Sequence, residues 1–249
     1  MAMSTVLIVI AVAALLLGGF AKGLSGMGLP VIATPIFALL FDLQTAIAVV
    51  ILSTLATDVI FLWKTRKNWS LLKQAAILIG FGMCGTVLGS YLLVNVNQLF
   101  LSGVLGIVIL VYVATSLFSL LPPIKRASWL DAAVGLVGGT FQGSSGACGP
   151  IISMYMLQMK LSRNDFLFLI NCFFVFIDLI QLIAVYRLGL YEGSVKFYAL
   201  GAMVPALSGL ALALLLHKRI SDQVFRYSVL AVMTISAAVL LVKSSEFFL

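Results

Sequence analysis

Two stretches of the chain carry glycine, serine and proline in the same order, a pattern that suits binding of a small anion. The first runs from Gly18 to Pro30 and the second from Gly138 to Pro150, an offset of 120 residues (138 − 18). Glycine lets the backbone leave helical geometry and approach a ligand closely. Proline favours the first turn of a helix, where unpaired amides attract anions. Each stretch therefore predicts a helix, a break and a new helix start, with an anion site at the breaks.

The predicted substrate site combines backbone amides with the polar side chains of both breaks. Lys22 adds a positive charge, and Gln142 stands at the equivalent position of the second copy. Lys22 either attracts the anion or extends to the membrane surface, and both interpretations stay open. The alternative for the glycines is that they only allow close helix packing. The predicted substrate-binding residues are Lys22, Gly23, Ser25, Gly26, Gln142, Gly143, Ser144, Ser145 and Gly146, with Pro30 and Pro150 as helix-break residues.

The same offset joins Asp58 to Asp178, two acids within apolar segments. A carboxylate inside the bilayer is costly, so an intramembrane acid is a candidate for function. We expect the two acids to couple transport to protons. The alternative is a structural role, in which each acid caps a helix or bridges to a neighbouring helix or to a nearby cation such as Lys64 or Arg187. Gln181, on the segment of Asp178, either lines the path or binds between helices.

The composition predicts a polytopic membrane protein. Hydrophobic residues make up 63% of the chain and charged residues 9%, with a mean hydropathy of +1.21, whereas a soluble domain has about 25% charged residues. The net charge of +7 comes from Lys and Arg residues in short loops. This placement sets the orientation of a chain in the membrane and does not indicate nucleic-acid binding. Cys84, Cys148 and Cys172 have no paired spacing, so we expect neither a disulfide framework nor a metal site, and no cofactor.

Hydropathy and helix breakers predict an all-α protein with ten apolar segments, equivalent to eight to ten helices. The segments cover residues 4–21, 27–41, 44–63, 74–94, 98–120, 129–142, 148–159, 164–187, 195–216 and 223–243. Three of them (27–41, 129–142 and 148–159) are shorter than the ~20 residues of a full span. We therefore predict two membrane repeats, 1–121 and 129–249, within one transmembrane transporter domain.

An odd number of segments per repeat places the second repeat upside down relative to the first. The basic residues agree, because loops that would share the cytoplasmic side hold most of the loop cations. These cations are Lys64, Arg66, Lys67, Lys73, Lys125, Arg126, Lys160, Arg163, Lys218 and Arg219. The predicted outer loops contain no Lys or Arg, except that Arg187 and Lys196 flank the loop at 188–194. Inverted repeats with discontinuous helices are typical of secondary transporters.

Three other roles compete with transport by a carrier. A Gly-x-Ser-Gly motif in a membrane resembles that of intramembrane serine proteases, but serine needs a base, and His217 lies in a basic loop. The same anion site would form a channel if both gates opened together. A structural or assembly role is the remaining alternative. We expect no enzyme, and the chain contains no phosphate-binding loop for ATP.

The opening pattern Gly-Phe-x-x-Gly-x-Ser-Gly-x-Gly at 19–28, the Pro30 that follows and the two-half organisation resemble the sulfite exporter TauE/SafE family. The resemblance implies transport of small sulfur-containing anions, such as sulfite or organosulfonates, across the bacterial inner membrane, most often as export. It also implies that the regions around Ser25 and Ser145 bind the substrate. The second stretch departs from the first, with Ser144 in place of Leu24 and Cys148 in place of Gly28.

Overall fold

The chain is entirely helical wherever its structure is described. The computed structural model describes residues 5–65, 71–118, 127–146, 148–157, 159, 161–216 and 222–245. Ten helices and no strand occur within these residues, so the predicted all-α class is confirmed. Most of the loop cations used above to predict orientation lie outside the described residues: Arg66, Lys67, Lys125, Arg126, Lys160, Lys218 and Arg219. His217 also lies outside them.

Each predicted segment corresponds to one helix. The helices are α1 (Thr5–Ser25), α2 (Leu29–Leu40), α3 (Leu43–Thr65), α4 (Leu72–Asn95), α5 (Gln98–Phe118), α6 (Ser128–Ser145), α7 (Gly149–Leu157), α8 (Arg163–Arg187), α9 (Val195–Leu216) and α10 (Asp222–Ser245). The predicted ends of the first and sixth segments, at 21 and 142, are several residues too early. Both helices continue through a glycine, Gly23 or Gly143, and end only before Gly26 or Gly146.

Within the described ranges, six helices are long and apolar enough to cross a membrane, which confirms a multi-pass membrane protein. They are Thr5–Ser25, Leu43–Lys64, Leu72–Asn95, Gln98–Thr115, Asn164–Arg187 and Val195–Leu216. The helices α2 and α7, with 12 and 9 residues, are shorter than the ~20 residues that a span requires. Large apolar side chains such as Phe197 and Leu215 are exposed on the outside of the bundle, where lipid can surround them.

Helix pairs related by the 120-residue offset pack in the same way. The two most extensive contacts join α4 to α6 and α1 to α9, and the offset converts one pair into the other. Contacts of α3 with α9 and of α8 with α4 form a second related pair, and α3 packs directly on α8. The first helix of each half therefore packs against the fourth helix of the other half: α1 against α9, and α6 against α4.

Glycines allow these helices to approach until their backbones touch. A Cβ atom added at Gly139 would lie 2.0 Å from the carbonyl oxygen of Gly82, and one added at Gly143 would lie 2.3 Å from that of Thr86. On the related pair, a Cβ at Gly19 would lie 2.1 Å from the carbonyl oxygen of Ala206. Small residues at helix crossings permit this packing in membranes. The packing interpretation of the glycines is thus confirmed for Gly143.

Adding one methyl group at the crossing of α4 and α6 should destabilise the bundle. Gly139→Ala is expected to lower the free energy of unfolding by about 1–3 kcal/mol, because the backbone of α4 must move away. Gly80→Ala is the matched control, since nothing lies within 4 Å of a Cβ at Gly80. Unfolding of the detergent-purified proteins in SDS measures both. Equal stabilities of the two variants would contradict the packing that we describe.

Candidate functional site

Four polar side chains from four helices meet inside the bundle. Lys22 lies in the last turn of α1 and Gln142 in the last turn of α6, and the acids Asp58 and Asp178 lie on α3 and α8. All four side chains are at most 1% exposed. The 120-residue offset relates Lys22 to Gln142 and Asp58 to Asp178, so the two members of each related pair occupy the same place in the fold. We call these four residues the polar cluster.

Lys22 forms a buried ion pair with Asp58. Its Nζ lies 2.6 Å from Asp58 Oδ1 and 5.3 Å from the centre of the Phe174 ring, a distance at which a cation and an aromatic face attract. The interpretation in which Lys22 extends to the membrane surface is therefore wrong. The cation beside Asp58 is Lys22, whereas the sequence suggested Lys64 as its bridging partner.

On the other side of the cluster, hydrogen bonds replace the ion pair. Gln142 Nε2 donates to Asp178 Oδ1 at 2.7 Å and to Gln181 Oε1 at 3.0 Å. Gln142 Oε1 accepts from the amide of Cys148 at 3.3 Å, and Gln181 Nε2 donates to the carbonyl oxygen of Gln142 at 2.7 Å. These bonds hold the end of α6, the start of α7 and the middle of α8 together without a charged donor.

The two carboxyl groups lie on helices that pack directly against each other, α3 and α8, and both are close enough to Lys22 and Gln142 to belong to one buried cluster. Asp58 Oδ2 and Asp178 Oδ2 have no hydrogen-bond partner among the described residues. Two carboxylates cannot both be ionised cheaply at close range. Because Lys22 supplies one positive charge, a cluster with one protonated carboxyl group is neutral, and a neutral cluster is the form that a buried site favours.

The glycines of the two junctions close helices α1 and α6. Gly26 and Gly146 have φ angles of 79° and 71°, left-handed values that glycine adopts readily at a helix C-terminus. The amide of Gly26 donates to the carbonyl oxygen of Lys22, and that of Gly146 to Gln142, both at 2.8 Å. These two amides are therefore engaged, and the amides left without helical partners belong to the first turns of α2 and α7. Pro30 is the second residue of α2.

The hydroxyls of the junction serines lie against backbone carbonyls, which for Ser144 and Ser145 belong to their own helix and for Ser25 belong to Ala21 in α1 and to Met27 just beyond it. Ser25 Oγ donates to the carbonyl oxygen of Ala21 at 2.8 Å, and Ser145 Oγ to that of Phe141 at 2.7 Å. Ser144 Oγ follows the same pattern with Thr140, at 2.8 Å. In this conformation a backbone carbonyl accepts each hydroxyl proton, so a hydroxyl must rotate before it can donate to a bound anion. The role of these serines in substrate binding stays a prediction.

A small cavity adjoins the neutral side of the cluster; we call it the polar cavity because four polar residues are among those that line it, although only apolar surface is exposed to its interior. Its volume is about 10 Å³, close to the limit for one water molecule. Its lining residues are Pro30, Thr34, Ile47, Val50, Ile51, Thr54, Gln142, Gly146 and Gln181. Thr34 Oγ1 is buried and has no hydrogen-bond partner among the described residues.

Sequence reasoning missed the two threonines of this cavity. The signal was present in their spacing, because Thr34 lies one helical turn after Pro30 and Thr54 one turn before Asp58, which places each pair on one helix face. Threonine is common at helix crossings in membranes, however, so the sequence did not distinguish Thr34 and Thr54 from packing residues. The structure distinguishes them by their position beside Gln142.

A second, larger cavity is apolar. It has a volume of about 210 Å³ and lies between α1, α2, α3 and α9, where Phe37, Phe41 and Phe197 contribute to its wall. No charged side chain lines it. A small anion would lose its hydration there without gaining a partner, so the polar cavity is the better candidate for the functional site.

The fold and the enclosed cluster define the class of protein: a multi-pass helical membrane protein with ionisable groups held inside its bundle. The family model described as sulfite exporter TauE/SafE matches residues 10–240. The chain therefore belongs to the TauE/SafE sulfite exporter family, as its glycine-serine pattern indicated, and the family suggests a membrane transporter of sulfite or related sulfur anions. Comparison with curated proteins and with solved structures gives no significant match.

Removal of either partner of the Lys22–Asp58 ion pair should destabilise the protein more than removal of both. Asp58→Asn leaves the ammonium of Lys22 buried without its paired carboxylate, which is expected to cost about 3–5 kcal/mol of unfolding free energy. The double variant Lys22→Gln/Asp58→Asn places neutral amides on both sides and should recover most of that loss. A double-mutant cycle on SDS unfolding measures the coupling. Strictly additive losses would show that the pair is not coupled.

Proposed function

We propose that the protein is a secondary transporter that carries a small sulfur-containing anion, such as sulfite or an organosulfonate, through the polar cluster. The single observation that supports this proposal most is the meeting of Lys22, Gln142 and both acids beside a polar cavity, deep within a bundle of a transporter family. Ionisable residues inside a membrane commonly mark substrate or ion pathways. We further propose export across the bacterial inner membrane, with Asp58 and Asp178 as the proton-carrying groups.

The repeated architecture supports alternating access as the mechanism. We infer that residues 1–121 and 129–249 form two inverted repeats, because helices related by the 120-residue offset make related contacts and each half contributes five helices. The helix ends at Gly26 and Gly146 would then be the two discontinuities at the centre of the fold. Transporters of this design move one repeat against the other around a site near the bilayer midplane.

The substrate site that we propose extends the polar cavity toward Lys22. The unpartnered hydroxyl of Thr34 would donate to the anion directly. The amide of Gln142 and the hydroxyl of Thr54 would donate after release from their present acceptors, which are Asp178 and Gln181 for Gln142 and the carbonyl oxygen of Val50 for Thr54. The free amides in the first turns of α2 and α7 would add partial positive charge. Ser25, Ser144 and Ser145 are the hydroxyls that would join after rotation from their present acceptors. The remaining predicted site residues, Gly23, Gly26, Gly143, Gly146, Pro30 and Pro150, would shape the two junctions.

A carrier fits this arrangement better than a channel does. The cavity has room for about one water molecule, so a sulfur oxyanion enters only after the helices around it separate. The four side chains of the cluster are almost fully enclosed, which is the condition of an occluded carrier. A serine hydrolase is not favoured either, since backbone carbonyls accept the hydroxyl protons of Ser25 and Ser145.

Counterflow of radiolabelled sulfite into proteoliposomes tests the proposed function. At pH 6, where most sulfite carries a single negative charge, wild-type protein should exchange internal for external sulfite faster than protein-free liposomes. Thr34→Val removes an unpartnered hydroxyl from the cavity at nearly constant volume and should slow the exchange roughly tenfold, the effect of about 1.4 kcal/mol of lost binding energy in the transition state.

Thr234→Val is the matched control, because Thr234 lies on α10 and its hydroxyl bonds to Leu230 in the same helix. It should exchange sulfite at the wild-type rate. A Thr34→Val protein that folds and exchanges sulfite normally would remove the cavity from the path. Absence of saturable exchange by the wild-type protein would contradict the transport proposal itself.

A further inference from the structure

We propose that the substrate replaces Asp58 as the partner of Lys22, that one proton enters with each anion, and that the site therefore accepts monoanions and rejects dianions. This inference rests on the proposed function and specifies its substrate charge and its coupling. It follows from the three ionisable groups of the cluster and from their pairing, Lys22 with Asp58 and Gln142 with Asp178.

The cluster contains two acids and one base. Asp58 interacts with Lys22 from α1, with Asp178 from α8 and, through its field, with the thiol of Cys148 before α7. The sequence of α2 contains no charged residue, and those of α4 and α9 contain one each, Lys73 and Lys196, in their first turns. No other charged side chain of the described elements packed around α3 is placed to balance the cluster.

One proton makes this cluster neutral at rest. Lys22 pairs with Asp58 Oδ1, so the ionised carboxylate is Asp58. Gln142 donates to Asp178 Oδ1, which leaves Asp178 Oδ2 free to hold the proton where the two carboxyl groups meet. A shared proton between facing acids is the usual solution for two carboxyl groups in one site.

An incoming anion finds the only positive charge of the cluster already occupied. It can pair with Lys22 only when Asp58 gives up that role, and a proton that binds Asp58 removes the competing charge. The site then holds the ammonium, two neutral carboxyl groups and one negative charge on the substrate, so its net charge is again zero. Proton and anion therefore bind cooperatively, in a ratio of one to one.

The same count excludes a dianion. Both acids are already protonated when the monoanion is bound, and Gln142 stands where a second cation would be needed. A dianion would leave one uncompensated negative charge in a buried site, which is strongly unfavourable. Isethionate and sulfoacetate are the matched probes, because they share a two-carbon sulfonate skeleton and differ by one carboxylate charge.

Competition with sulfite counterflow measures this selectivity. At pH 7, isethionate should inhibit with an apparent affinity at least roughly tenfold higher than that of sulfoacetate, which corresponds to one uncompensated charge. Equal inhibition by the two compounds, or inhibition by neither, would overturn the inference. Failure of sulfite counterflow itself would instead remove the proposed function, so the two failures are distinguishable.

The coupling ratio is tested by the effect of membrane potential on isethionate uptake. One proton with one monoanion carries no net charge, so a potassium diffusion potential set with valinomycin should leave the initial rate unchanged in wild-type liposomes, while an inward proton gradient should raise it. Uptake that follows the potential would overturn the inference. This test needs no variant.

The double variant Asp58→Asn/Asp178→Asn separates proton coupling from packing. It removes both groups that can carry the proton and leaves Lys22 available to the anion, so isethionate uptake should lose its dependence on the proton gradient and follow the membrane potential. A purely structural role of the two acids would lower the rate without changing what drives it. If this variant does not fold, the wild-type potential measurement decides alone.

Discussion

The Lys22–Asp58 ion pair is the interaction on which the rest of the structure depends. A single ammonium group enclosed in a membrane bundle requires a partner, and Asp58 provides it at 2.6 Å. This requirement fixes the end of α1 against α3. The equivalent contact between Gln142 and Asp178 fixes the end of α6 against α8 with neutral hydrogen bonds. Of these two contacts, only the one at the end of α1 includes a positive charge.

Close helix packing provides the rigidity that such a cluster needs. Backbone contact between α4 and α6, and between α1 and α9, depends on glycines at which no side chain fits. Helices packed in this way move as units, because separation at one point would expose backbone groups along the whole contact. The short helix α2 borders the polar cavity, and α7 begins beside the cluster, where the amide of Cys148 donates to Gln142. We therefore expect that whole helices move when the cavity opens to one side of the membrane.

The sequence predicted the helices well, because in a membrane chain hydropathy and breakers determine most of their limits. It also predicted that Asp58 and Asp178 are equivalent, from the offset alone. The ends of α1 and α6 were placed too early because Gly23 and Gly143 suggested breaks, whereas contacts with α9 and α4 explain those glycines. The partner of Lys22 and the roles of Thr34 and Thr54 depend on contacts between distant segments, which local patterns do not contain.

A cryo-electron microscopy structure of the protein with sulfite, prepared without oxygen, tests the central claim most directly. The account predicts density for the anion in an enlarged polar cavity, within hydrogen-bonding distance of Gln142 and Thr34, and a longer distance between Lys22 Nζ and Asp58. Density in the apolar cavity beside Phe37 and Phe197, or an anion bound while the Lys22–Asp58 pair stays closed, would contradict it.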